Sequence, residues 1–120
     1  MPKKRVFLLK DERYPDVVFG TLTVQDTGVH EKNSYEIDVK PVEGIMLPVV
    51  YAGMLNKYGT LHLKGAQARE WIEHRPTPPN RQNISELLDL MHEKKYDYWK
   101  VVQFQHCRCI RDYLYMEEVL

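Results

Sequence analysis

The chain is short of most of the residues and patterns that chemistry leans on. It has two cysteines, Cys107 and Cys109, and two serines, Ser34 and Ser85. A C-x-C pair closes almost no loop, which makes it a poor structural disulfide, and a redox site would favour C-x-x-C. A reduced compartment is the setting this cysteine usage implies. Neither serine stands in G-x-S-x-G, and neither G-x-G-x-x-G nor G-x-x-x-x-G-K-[ST] occurs, so the acyl-enzyme elbow and the common phosphate-cradling loops are missing. No apolar run approaches the roughly 20 residues that span a bilayer. Met-Pro-Lys-Lys-Arg resembles the charged start of a signal peptide, but only Val6 to Leu9 follows before Lys10, Asp11, Glu12 and Arg13. A cytoplasmic protein with no membrane partner is the expectation.

Net charge is also lacking. Seventeen Lys and Arg balance 17 Asp and Glu, whereas non-specific nucleic-acid binding normally leaves a basic footprint. Near-zero charge gives little colloidal repulsion, which fits work inside an assembly. What is present describes one ordinary globular domain over residues 1–120. Hydrophobic residues are 43% and charged residues 28% of the 120. A chain of this size hides roughly two-thirds of its unfolded surface, enough for a core without metal or disulfide staples.

The first half reads as strands. Arg5–Leu9 is a short apolar run, Asp16–Val24 is rich in β-branched residues, and Asn33–Lys40 alternates, with Tyr35, Ile37 and Val39 on one side. Strict alternation marks an antiparallel sheet with one wet face. Gly44–Ala52 and Thr60–Leu63 are read as further short strands. The second half reads as helices. One covers Ala66 to about His74, stopped where Pro76 pushes Arg75 out of the α region. The next follows from Ile84, Leu87, Leu88 and Met91 at i, i+3, i+4 and i+7, with Asn83 and Glu86 close to a capping box and Asn80 as an earlier cap. Asp97 caps a third, and Asp112–Met116 forms a last strand or extended tail. The fold expected is α+β, a small antiparallel sheet from the N-terminal half packed on two or three C-terminal helices.

The most individual stretch lies between the first two of these helices. Glu73-His-Arg-Pro-Thr-Pro-Pro-Asn-Arg81 holds two arginines across three prolines. Prolines fix φ near −65° and favour an extended path that loses little entropy on ordering. Arg81 then stands at the start of a helix, where unpaired N–H groups attract anions. Trp71, Arg75, Asn80 and Arg81 are the candidate partner-binding residues, Trp and Arg being the types in which binding energy concentrates. The competing reading is structural: Arg75 and Arg81 pair with Glu70, Glu73 or Glu86 and clip two helices together, and Trp71 is core.

Other constellations offer less. His106-Cys-Arg-Cys109 is the one cluster resembling metal ligands, but tetrahedral zinc needs a second pair, which only scattered histidines at 30, 62, 74 and 92 could supply. Asp11/Glu12 and Glu117/Glu118 are neighbours in sequence, and adjacent exposed carboxylates diverge. No metal, cofactor or catalytic residue is expected, and a small hydrolase or metal-dependent enzyme ranks last. Helices 66–74 and 83–94 imitate a helix-turn-helix, but the second carries Glu86, Asp89 and Glu93 where a recognition helix meets phosphate. A nucleic-acid-binding regulator using a local basic face is therefore the alternative to a protein-interaction module.

Trp71, Arg75, Pro79, Arg81 and Ile84, a leucine-containing helix, and the ending Arg111-Asp-Tyr-Leu-Tyr115 resemble short modules linked with HipA-type toxin kinases in Firmicutes. The likeness runs over residues 60–116 through sparse anchors, with Tyr-Leu-Tyr where the modules carry Tyr-Trp, and the kinase body is missing. It implies a bacterial accessory or recognition module of a toxin–antitoxin or prophage system, without catalysis of its own.

Overall fold

The computed structural model describes residues 2–109 and 112–120. Arg111, part of the ending that carries the family resemblance, lies outside the described residues. The elements run β1 Lys3–Asp11, β2 Gly20–Asp26, a 3₁₀ turn His30–Lys32, β3 Ser34–Val39, α1 Val49–Tyr58, β4 His62–Lys64, α2 Gly65–Glu73, α3 Ile84–Leu90, α4 Tyr98–Phe104 and β5 Leu114–Val119. The strands form one antiparallel sheet in the order β4-β3-β2-β1-β5. This is the expected α+β class. It differs in two ways from a division into an N-terminal sheet and C-terminal helices. The last strand returns from the far end of the chain to pair with β1, and a helix precedes β4.

The alternation read in the sequence sets the two sheet faces. Phe7, Leu9, Leu22, Val24, Tyr35, Ile37, Val39, Leu114 and Met116 are buried on one side. Val6, Leu8, Thr21, Thr23, Glu36 and Asp38 stay half-exposed on the other. Gly20 is required where β2 meets β3, because a Cβ there would stand 2.3 Å from the Asp38 carbonyl oxygen. Trp99 of α4 packs edge-on against Phe7 at 5.4 Å and Tyr35 at 5.6 Å. Its indole N–H donates to Asp26 Oδ2 at 2.9 Å. Arg5 donates to the same carboxylate and forks onto Glu118, which ties β5, β1 and β2 to α4.

The strand expected over Gly44–Ala52 is instead a loop leading into α1. Val49, Val50 and Tyr51 favour strands by propensity, but Tyr51, Met54 and Tyr58 fall on one helical side. Tyr51 and Met54 are buried, and Tyr58 packs against the core. Pro48 at the entry and Gly59 at φ 73° at the exit bracket the helix. Asp97 caps α4 as expected, accepting from Lys100 N at 3.2 Å. Asn83 is the N-cap of α3, but its side chain makes no capping bond. No helix among the described residues is long and apolar enough to cross a membrane.

Candidate functional site

Gly65–Glu73 turns its apolar side into the core, with Ala68, Trp71 and Ile72 buried. The chain then leaves the helix through the proline corner. Arg75, at its start, points inward and is 6% exposed, so it does not face outward beside Arg81. Its fork grips Asp112, with Nη1 to Oδ2 at 2.5 Å and Nη2 to Oδ1 at 2.9 Å. Nε and Nη2 also donate to the Cys107 carbonyl at 3.1 and 2.7 Å, and the guanidinium lies over the Trp71 ring at 5.4 Å. Burial is the largest single influence and opposes this charge, yet the Asp112 hydrogen bond and the negative charge around it together outweigh burial, and Arg75 is held more firmly protonated than a free arginine. Trp71 and Arg75 therefore stand in the frame that supports the corner. The acid that holds Arg75 is none of Glu70, Glu73 or Glu86.

The backbone that meets Arg75 is itself unusual. His106 and Cys107 both adopt left-handed φ, 54° and 61°, a conformation that disfavours L-residues by about 1–2 kcal/mol each. The bend aims the Cys107 carbonyl at Arg75 and the His106 carbonyl at the Met116 N–H, 2.9 Å away. Leu114 N–H is likewise taken by Asp112 Oδ1 at 3.1 Å, so the outer edge of β5 is partly closed. Burial pushes the Cys107 thiol up, away from the reactive thiolate. Among the described residues no group of three or more His, Cys, Asp and Glu converges on a point where a metal would sit.

Thr77 pins the middle of the corner. Its N–H donates to Gln105 Oε1 at 3.1 Å, its hydroxyl accepts from Gln105 Nε2 at 2.7 Å, and its carbonyl accepts from the Tyr96 hydroxyl. Beyond it Pro78, Pro79, Asn80 and Arg81 are exposed. Between this rim and residues 104–109, 112 and 114 lies an open cleft of about 1220 Å³. Phe104, 47% exposed, and the prolines give it apolar walls. Three carboxylates line it and each is engaged: Glu12 by Arg108, Asp112 by Arg75, and Glu73 by His30 at 2.9 Å. Arg81 lines it too, with no carboxylate within 4 Å among the described residues.

His30 is buried at 3% exposure, a role that nothing in its local sequence signals. Asn33 Nδ2 donates to the Tyr35 hydroxyl at 3.1 Å; the Glu73 carboxylate can only accept, so His30 Nε2–H donates to it at 2.9 Å, and in the neutral ring Nδ1 then accepts from the Tyr35 hydroxyl at 2.9 Å. The order acid–imidazole–hydroxyl has the makings of a relay, but Tyr35 is 3% exposed and burial pushes its hydroxyl up. These bonds lock the 3₁₀ turn to α2, assisted by Arg69, which donates to the His30 and Asn33 carbonyls.

The decisive feature follows Arg81. Helix α3 has no buried residue: Ile84, Leu87, Leu88 and Met91, the stripe that makes it legible, are not fully covered, and Leu90 is 69% exposed. No family model, curated protein or solved structure matches this chain.

Proposed function

We propose that this chain is a non-catalytic protein-interaction module whose docking surface is the proline corner with Arg81, the cleft beneath it and helix α3. The observation that carries the reading is the stripe on α3. Seven residues are too few for a helix to be stable alone in water, where roughly 12–15 are marginal. Most helical stability comes from packing an apolar side, and each large aliphatic side chain gains about 1.5–3 kcal/mol on full burial. Three such residues on α3, with Met91 just past its end, make the stripe, and all are left incompletely covered, which is what a partner's surface would complete.

Arg75, Trp71 and Thr77 support this reading as scaffold. They hold the corner rigidly, and a pre-organised edge loses less freedom on binding. The resemblance to modules associated with HipA-type kinases supports an accessory role in a bacterial toxin–antitoxin or prophage system, in the cytoplasm.

The test is affinity capture from a lysate of the native host with the whole chain as bait, read by mass spectrometry. A Leu87→Asp/Leu88→Asp variant serves as the comparison. The expected result is a protein retained by the wild-type chain and lost by the variant, with the variant's circular dichroism unchanged. Equal retention by both, or recovery of nucleic acid released by nuclease and by moderate salt, would contradict the proposal.

A further inference from the structure

We infer that the cleft under the proline corner takes an acidic segment of a partner protein, one that carries apolar side chains and sets a carboxylate against Arg81. The inference deepens the docking proposal and rests on it.

Charge complementarity is the argument. A cleft lined by three carboxylates would ordinarily repel an acidic segment, but here each carboxylate already faces a cation or an imidazole N–H within the chain. The remaining charge at the rim is Arg81, with His74 and His106 also lining the space. Arg81 sits at the exposed end of a corner whose other end is fixed by Arg75 and Thr77. Among the described residues, no acid competes for its guanidinium. A planar fork of this kind matches a carboxylate with two parallel hydrogen bonds.

Size and lining choose the class of occupant. A space of about 1220 Å³ exceeds the usual 300–1,000 Å³ of small-molecule sites and admits several residues of extended chain. Phe104 and the prolines line the same cleft and offer apolar contact there. A nucleic-acid strand fits poorly, because useful affinity takes several cations against successive phosphates. Of the arginines lining this cleft, Arg75 and Arg108 are already bonded to acids of the chain itself.

A library of random 12-residue peptides displayed on phage, panned against the immobilised whole chain, tests the inference while the partner is still unidentified. Enrichment of sequences that join Asp or Glu to large apolar residues is expected. Synthetic copies should bind, by fluorescence anisotropy, about tenfold more weakly to Arg81→Ala, a charge-assisted hydrogen bond being of that size. They should bind more weakly still to Arg81→Glu. Arg81 is exposed, so an unchanged urea midpoint would show that both variants fold.

Absence of enrichment over bare support would overturn the inference, as would enriched sequences that lack acids or bind regardless of Arg81. Apolar peptides that need Leu87 and Leu88 but not Arg81 would overturn it and leave the docking proposal standing. A concentration-dependent dimer in the ultracentrifuge that Arg81→Glu dissociates would assign the surface to a second copy, and would overturn it too.

Discussion

Helices α2 and α3 stand on either side of one proline corner, and they meet opposite fates. Both are short, nine and seven residues, and both carry an apolar stripe. α2 sinks Ala68, Trp71 and Ile72 into the core beside β3 and β4, while Ile84, Leu87 and Leu88 of α3 are only partly covered. The arginines divide in the same way, Arg75 locked under the corner and Arg81 left on its rim. Periodicity tells which side of a helix is apolar; it does not tell what that side meets. In a small domain the second question separates an element that fills the core from one whose apolar side stays partly uncovered.

The sharpest contrast is in stability. Trp71→Ala is expected to cost about 3–5 kcal/mol in urea unfolding, the usual penalty for emptying a large core site. Leu88→Ala on α3 should cost about 1 kcal/mol or less. Comparable losses would erase the distinction between the helices.

The arginine pair is the next test. Arg75→Ala strands Asp112 and the Cys107 carbonyl, and should destabilise by about 3 kcal/mol. Lysine should restore only part of this, since it lacks the fork that spans both acceptors. Arg81→Ala should move stability by less than about 0.5 kcal/mol.

Acid should act on the sheet side of the molecule. The hydrogen bond from Arg13 holds the Asp11 carboxyl below its ordinary 3.8, and that from Arg5 holds Glu118 below 4.5. Burial alone would raise Asp26, but bonds from Trp99 and Arg5 prevail and hold it low as well. These groups take up protons less readily folded than unfolded. Their contribution is present above the ordinary carboxylate range and is lost as the pH falls through about 4 and below. Urea midpoints should therefore decline between about pH 5 and pH 3, and Arg5→Met should flatten that decline. The Leu87→Asp/Leu88→Asp variant should likewise keep its fold, its stability staying within about 1 kcal/mol of wild type while partner capture is lost.

Much of the architecture is legible because it is written locally. The alternation of Asn33–Lys40 and the cap at Asp97 lie within a few residues of what they determine. Helix α2, expected over Ala66 to about His74, can be read in the same way. Helix α1 is hidden because Val49, Val50 and Tyr51 carry strand propensity; the spacing of Tyr51, Met54 and Tyr58 between Pro48 and Gly59 is the signal available. The Arg75–Asp112 pair cannot be read at all, since 37 residues separate the partners and they meet only through the tertiary fold, the αL bend at His106 and Cys107 included. The same holds for His30 and Glu73. Asn80 and Arg81, singled out by the stiff proline segment and the helix start that follows it, are both exposed.

Native-state hydrogen exchange of the isolated chain tests the central asymmetry most directly, because it reports the opening of each helix separately. The amides of Leu87 and Leu88 should exchange at least about a hundredfold faster than those of Trp71 and Ile72, through an opening that leaves the sheet intact. Equal protection in the two helices, lost together only in global unfolding, would mean that α3 belongs to the core and that its stripe awaits no partner.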